Sequence, residues 1–303
     1  MNRIGIVGAS GFVGSAVADA LQRRGVDVVP VSAPRLPDVD EPAATALLEG
    51  ALNDCSAVIN AAGISEATSG DEAALMGANA ALPGLIAKVA AGRRFVQISS
   101  AAAQGRVEIL DSDPQTSPVT PYARSKAEGE RRVLSISGDI VVFRPPGVHA
   151  AQRRVTRSLH KIATSPISSV AGRGERPTAQ AQLPNIADAV AFLATAPAGL
   201  PQIVHQPSEG LTTAELLRRL SGGQQPKHLP DLACRTAVRG LVRAPSAALR
   251  AQGRRLEMLW LGQGQAPSWL TSAGWTPPAD LSGWDRMGEE LTNAAETSRH
   301  TGS

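Results

Sequence analysis

The 303-residue chain has a single tyrosine, and it lies four residues before a lysine in "TPYARSKAEGE". Pro121 suits the first turn of a helix and Thr120 its N-cap, which puts Tyr122 and Lys126 at i and i+4 on one helical face. An ammonium close to a phenol favours the phenolate and draws the tyrosine pKa toward working pH. A phenol tuned in this way can act as general acid and base in a carbonyl–alcohol interconversion. A second feature, "RIGIVGASGFVGSAVADALQRRG", spaces Gly8, Gly11 and Gly14 three residues apart, between a strand-like run and a helical pattern. Glycine inside a helix costs roughly 1 kcal/mol relative to alanine, so the three need another reason. A strand, a glycine turn and a bare helix N-terminus form an anion site. Unpaired N–H groups and the positive dipole end face a pyrophosphate that no side chain keeps away.

These groups need elements to carry them. Strand-like runs alternate with helical patterns: "RIGIVGA", "VDVVPVSA", "SAVINAAG", "RFVQISSA" and "IVVFRPPG", with helices in "EPAATALLEGAL", "ALMGANAALPGLIAKVA" and "TPYARSKAEGERRVL" between the later ones. Apolar strands separated by helices indicate a parallel sheet covered on both faces. The expected fold class is therefore α/β, a doubly wound Rossmann sheet. "RFVQISS" and "VINAAG" place Ser99, Ser100 and small residues at carboxyl strand ends, where open α/β sheets bind ligands. After Pro146 the pattern weakens, and residues 151–183 and 208–293 read as a smaller, mostly helical substrate lobe over those strand ends. Residues 1–150 form the dinucleotide-binding domain, to which 184–207 return as the helix "PNIADAVAFLATAP" and the strand "QIVHQP". Asn185 is the expected N-cap of that helix, with Asp188 as its capping partner. The polar residues 294–303 read as a flexible tail.

Composition narrows the function classes. Hydrophobic residues make up 43% and charged residues 19%, which fits a globular chain rather than a disordered one. A net charge of +3 with scattered arginines and nine aromatic residues argues against nucleic acid. No apolar run approaches the ~18 residues of a membrane span, and no secretory leader precedes the first strand, so a cytoplasmic protein is expected. Cys55 and Cys234 lack metal-ligand spacing; Cys55, in "CSAVIN", reads as a reduced core thiol, and no metal is expected.

Taken together, "GASGFVG", "NAAG", "NAALPGLIAKVA", "ISSAAAQG", "PYARSK", "FRPPGV", "NIADAVAFL" and "GWTPPADL" resemble, in order and over most of the chain, the extended short-chain dehydrogenase/reductase family. This family comprises nucleotide-sugar epimerases, dehydratases and 4-ketoreductases. The short connection after the second strand is similar to its dTDP-4-dehydrorhamnose reductase branch. The resemblance implies that Tyr122 is the acid/base, that Lys126 binds the nicotinamide ribose, and that Ser100, or alternatively Ser99, holds the substrate oxygen. It also implies a pyrophosphate on Gly8, Gly11 and Gly14, adenine between Asp38 and Val39, and a ribose along Ala61, Ala62 and Gly63, with Asn79 bracing the helix beneath. Ser10, Phe12, Val13, Ser99, Pro145 and Val148 complete the implied cofactor set, and a homodimer is common in the family.

Charge favours one cofactor. Where NAD-binding relatives carry an aspartate, this chain has Ser32, followed closely by Arg35. A hydroxyl and a guanidinium suit a 2′-phosphate that a carboxylate would repel, so NADP is expected, with NAD as the alternative. Two departures bear on the substrate. The family's R-P-x-N-V-Y-G reads Arg144, Pro145, Pro146, Gly147, Val148, His149, Ala150, which removes a frequent substrate-contacting asparagine. The arginine that clamps a sugar-nucleotide pyrophosphate is also missing, and "AQLPNIAD" offers Gln180 and Gln182 in its place. Arg153, Arg154, Arg173 and Arg176 are candidate substitutes, each with an alternative as a solvated surface charge, and His149 reads equally as packing or catalytic. The expected reaction is NADP-dependent oxidoreduction at a sugar carbonyl or alcohol, a 4-ketoreductase or 4-epimerase acting on a nucleoside-diphosphate sugar. The alternatives are a ketoreductase of a non-nucleotide natural product and a non-catalytic dinucleotide-sensing module.

Overall fold

The computed structural model describes residues 3–36, 40–65 and 71–300. They divide into two compact units, of which the first comprises residues 1–146, 183–207 and 267–278. Its centre is a six-stranded sheet in the order Ile203–His205, Ile140–Arg144, Arg94–Ile98, Ala57–Asn60, Arg3–Val7, Asp27–Val31. Every pairing in it is parallel, with Ile4 opposite both Ala57 and Val28, and Phe95 opposite Val58 and Ile140. Ala57–Asn60, Arg94–Ile98 and Ile140–Arg144 are buried along their whole length, as strands covered on both faces must be. Asp27–Val31 lies at the edge, which is where a strand can carry Pro30 without losing a ladder bond.

Helices Phe12–Arg23 and Leu183–Thr195 pack together on one face, and Glu41–Leu52, Leu82–Val89 and Pro121–Leu134 on the other. Leu48, Leu52, Leu85, Ile86, Phe95 and Val133 fill the core beneath the second group. The expected doubly wound sheet is thus present, and its strand order fixes where it binds. The chain leaves Arg3–Val7 toward the edge strand and then crosses back to Ala57–Asn60 on the other side. The switch point lies between the carboxyl ends of these two neighbours, where open α/β sheets take ligands.

The second unit comprises residues 147–182, 208–266 and 279–303. Helices Arg154–Ala163, Thr213–Leu220 and Ser282–His300 meet around Leu216, Leu217, Leu220, Trp284, Met287 and Leu291. Helices Asp231–Val242 and Ala247–Leu261 pack on each other, and Gly253 leaves room for Leu241 and Val242 at their contact.

Four details differ from the sequence reading. Gly147–His149 pairs with Gln180–Gln182 inside the second unit, so the first unit breaks at residue 146 rather than 150. Residues 267–278 join the first unit because Leu270 is buried there and the Trp275 indole donates to Asp188 at 2.9 Å. The helix expected to start after Asn185 starts at Leu183; Asn185 is buried within it, and Asp188 is engaged by Arg24 and Trp275 instead of a cap. Residues 294–300 of the expected tail continue the helix Ser282–His300, and 301–303 lie outside the described residues.

Candidate active site

The glycine turn joins strand to helix as its spacing predicted, and the three glycines differ in what they allow there. Gly8 has φ +84, a conformation open to glycine, and a Cβ there would lie 2.7 Å from the Ala62 backbone nitrogen. A Cβ on Gly14 would strike the Gly8 carbonyl, so the helix can approach the turn only without it. Gly11 is different. It is the exposed N-cap of Phe12–Arg23 with φ −76 and ψ 168, which any residue adopts, and a Cβ there would have one neighbour, the Gly8 oxygen at 3.2 Å. No side chain caps this helix, so its first N–H groups stay open to an anion. Ser10, Phe12 and Val13 sit in the same turn, exposed or half-buried.

The facing loop follows Ala57–Asn60. Asn60 is fully buried; its amide donates to Gln97 at 2.8 Å and its oxygen accepts the Ala62 N–H at 3.0 Å, which sets the path of Ala61, Ala62 and Gly63. Asn79 closes the loop from below. It bonds both backbone groups of Ile64 at 3.0 Å and donates to Ser125 at 3.1 Å. Asn79 lies in a single π-helical turn, Gly77–Ala81, a wider turn of the kind that recurs at functional sites. A Cβ on Gly63 would lie 2.6 Å from the Asn79 oxygen and 3.4 Å from the Lys126 ammonium, so this glycine keeps the lysine approachable.

Helix Pro121–Leu134 begins as expected, with Thr120 accepting the Ala123 N–H at 3.0 Å and proline in the first turn. Tyr122 is half-buried, and Lys126 lies one turn further on, 7% exposed. The Lys126 ammonium donates to the Ile98 carbonyl at 3.2 Å, which ties it to the carboxyl end of Arg94–Ile98. Burial pulls its pKa down to about 8, against the opposing pull of the Glu130 carboxylate. Two residues beyond Ile98, Ser100 is half-buried and accepts the Ala102 N–H at 3.2 Å, capping the short turn Ala101–Gln104 on which the tyrosine helix packs.

The two serines part ways here. Ser99, placed in the cofactor set by resemblance, is buried, and its hydroxyl donates to Glu130 at 2.5 Å. Glu130 also receives Arg144, with Nη2 at 2.7 Å and Nε at 3.1 Å, and Arg144 Nη1 donates to the Asp113 carbonyl at 2.6 Å. Glu130, Arg144, Asn60 and Gln97 were missed as site residues. The available signal was the extension of Tyr122 and Lys126 by four further residues to Glu130 on the same helical face.

Ser32 and Arg35 follow the edge strand and are both exposed, with no partner for Arg35 among the described residues. Asp38 and Val39 lie outside the described residues. Pro145 is buried, its carbonyl accepting the Ala101 N–H at 2.9 Å, whereas Val148 belongs to the second unit. His149, also in the second unit, is buried between Gln180 at 2.7 Å and Thr156 at 3.0 Å and lies against the Trp284 ring; burial lowers its pKa to about 4. Gln182 is bonded to Glu209 through its backbone and side chain. Neither glutamine is a free clamp for a pyrophosphate. Among the described residues no three His, Cys, Asp or Glu side chains are grouped to hold a metal ion, and no helix is long and apolar enough to cross a membrane.

A family model described as the RmlD substrate binding domain matches residues 1–217. The chain belongs to the RmlD substrate binding domain family. The extended short-chain dehydrogenase/reductase resemblance therefore stands. No curated protein sequence matches this RmlD-family chain. Among solved structures it is similar to dTDP-4-dehydrorhamnose reductase from Bacillus anthracis in complex with NADP, at 15% identity and a TM-score of 0.67, covering 96% of this chain and 99% of that one. It is similar to UDP-glucuronic acid 4-epimerase from Bacillus cereus in complex with NAD, at 18% identity and a TM-score of 0.64, covering 96% and 99%. A UDP-glucose 4-epimerase from Thermus thermophilus, also with NAD, has 18% identity and a TM-score of 0.66 over 96% and 99%. At such identities the likeness establishes the fold.

Proposed function

We propose that this RmlD-family chain is an NAD(P)-dependent oxidoreductase acting on a sugar carbonyl or alcohol, a 4-ketoreductase or 4-epimerase of a nucleoside-diphosphate sugar. The observation that carries the reading is the buried Lys126, fixed to the Ile98 carbonyl one helical turn from Tyr122 and next to the strand end that bears Ser100. A dinucleotide fits the residues present, because Gly11 leaves an open helix N-terminus that the fold does not need side-chain-free. In that fit Gly8, Gly11 and Gly14 hold the pyrophosphate, Gly63 and Lys126 the nicotinamide ribose, and Ser32 with Arg35 a 2′-phosphate.

When bound, the nicotinamide supplies or accepts the hydride. The chain's own residues handle the proton. Tyr122 donates it to the carbonyl oxygen in reduction and removes it from the alcohol in oxidation. Lys126 stabilises the phenolate left behind by proximity of charge. Ser100 holds the substrate oxygen in place. The test is NADPH oxidation against a panel of UDP- and dTDP-linked 4-keto and 4-hydroxy sugars. A reductase consumes NADPH stoichiometrically, and an epimerase converts substrate with no net consumption. A panel without turnover or nucleotide-dependent binding refutes the nucleotide-sugar reading.

A second reading, a ketoreductase of a non-nucleotide ketone, rests on Gln180 and Gln182. They stand where relatives carry the clamping arginine, and both are spent on His149 and Glu209. UDP and dTDP binding separates the two readings, since saturable binding of either excludes the second.

A further inference from the structure

Tyr122, Lys126 and Glu130 follow one another at i, i+4 and i+8 on a single face of Pro121–Leu134, and the pattern does not stop at the helix. Arg144, from the strand Ile140–Arg144, closes on Glu130 with two nitrogens; the two side chains are 0% and 3% exposed. The result is a buried row of alternating charge, guanidinium, carboxylate and ammonium, that ends on the half-buried phenol of Tyr122. Deepening the reading above and resting on it, we propose that Glu130, clamped by Arg144 and Ser99, is a positioning residue that keeps the Lys126 ammonium charged.

Among the described residues, the surroundings of Lys126 offer little else that could do this. Its own helix brings Glu130. The strand Arg94–Ile98 brings a carbonyl, the loop after Asn60 brings Gly63, and the π turn brings the uncharged Asn79. The strand Ile140–Arg144 brings Arg144, whose charge is taken up by Glu130. Burial alone drives a lysine toward its neutral form, and a neutral amine would no longer favour the phenolate. Glu130 is the charge that opposes burial at Lys126. Glu130 is itself held in place, which is what the rest of the cluster does. Arg144 and the Ser99 hydroxyl both donate to its carboxylate, and the Asp113 carbonyl accepts a further guanidinium N–H. A buried ion pair adds little stability over apolar packing, so one set a turn below Lys126, the partner of the acid/base tyrosine, calls for a role beyond packing.

The chain has four lysines, of which Lys88, Lys161 and Lys227 are exposed and Lys126 buried, so the Lys126 ε-carbon is readily assigned in an NMR spectrum of lysine-labelled protein. The experiment titrates that signal with pH in the full chain, with no cofactor or substrate. Wild type should show a midpoint near about 8. Glu130→Gln should lower it by about 1 unit or more. Ser99→Ala, which leaves the carboxylate in place, should shift it far less. If Glu130→Gln leaves Arg144 unpaired and does not fold, the Glu130→Gln/Arg144→Gln double variant removes both charges and should lower the midpoint in the same direction. An unchanged midpoint in either variant overturns the proposal, and so does a wild-type midpoint below neutral pH. The measurement needs no ligand. Loss of the dinucleotide reading would therefore leave the Lys126 titration standing, and an unmoved titration would leave that reading intact.

Discussion

Gly11 separates a turn that merely needs glycine from a turn built for a ligand. Replacing it with alanine puts a methyl group 3.2 Å from one atom, the Gly8 carbonyl oxygen, in a backbone conformation that alanine adopts without strain. Alanine is a poorer N-cap than glycine, a cost of up to about 1 kcal/mol. The reduced freedom of the unfolded chain returns about 0.4–1 kcal/mol, so the net change in stability should stay within about 1 kcal/mol. Binding should behave otherwise. A methyl group at the mouth of an uncapped helix holds a pyrophosphate away from the N–H groups, and a hydrogen bond to a charged group is worth about 1.5–3 kcal/mol. Each 1.4 kcal/mol is a factor of ten, so NADPH affinity should fall about ten- to a hundredfold. Gly14→Ala is the contrasting case: its methyl group meets the Gly8 backbone, and stability and binding should fall together. The assays are NADPH fluorescence titration and urea unfolding on the same preparations. A Gly11→Ala protein with wild-type affinity and wild-type stability would mean that Gly11 is not there for a ligand and would remove the pyrophosphate argument.

Tyr122→Phe should leave NADPH affinity nearly unchanged and cut turnover on an identified substrate by about 10²-fold or more, the lower range for general acid–base catalysis; retained turnover removes the enzyme mechanism. Arg35→Ala should narrow the preference for NADPH over NADH, which competitive titration reads directly, and an unaltered ratio takes Arg35 out of the specificity site. His149 is buried with its pKa lowered to about 4 from 6.5, so the unfolded chain takes up the proton first and the stabilising contribution is lost as pH falls from 6.5 toward 4. The advantage of wild type over His149→Gln in urea unfolding should shrink by up to about 3 kcal/mol between pH 7 and pH 4; a constant gap refutes the buried neutral imidazole.

What the sequence made legible was local. Thr120 and Pro121 announced the tyrosine helix, and the strands were apolar runs of the right length because the sheet is covered on both faces. The glycine turn was readable because only glycine tolerates the contacts at Gly8 and Gly14. The misses are contacts between residues far apart in the chain. Asn60 meets Gln97 and Glu130 meets Arg144 across neighbouring elements, and Trp275 reaches Asp188 from a segment that composition assigned to the other lobe. The π turn at Asn79 left no periodic trace, because one added residue per turn is invisible in so small-residue a stretch. Asn185 misled for a simpler reason. Asn is a strong N-cap type, yet Pro184 just before it is the better marker, since proline favours the first helical turn.

The strand order explains why the two ends of the expected dinucleotide site are built so differently. Asp27–Val31 is the edge strand, and beyond it Ser32 and Arg35 stand exposed, joined to the glycine turn through the Gly8 N–H on the Val31 carbonyl at 2.9 Å. Side chains there can change without disturbing a packed neighbour, so under the proposed reading the 2′-phosphate contact would lie where substitution is cheap. Lys126 and Ser100 sit instead at the end of Arg94–Ile98, a strand flanked on both sides, with Glu130, Arg144, Asn60 and Gln97 buried around it. Substitution there strands a charge or an amide in a dry interior, where an unpaired partner costs several kcal/mol. Under the proposed mechanism, Tyr122 needs the Lys126 ammonium held in one place, and the centre of a covered parallel sheet supplies that rigidity.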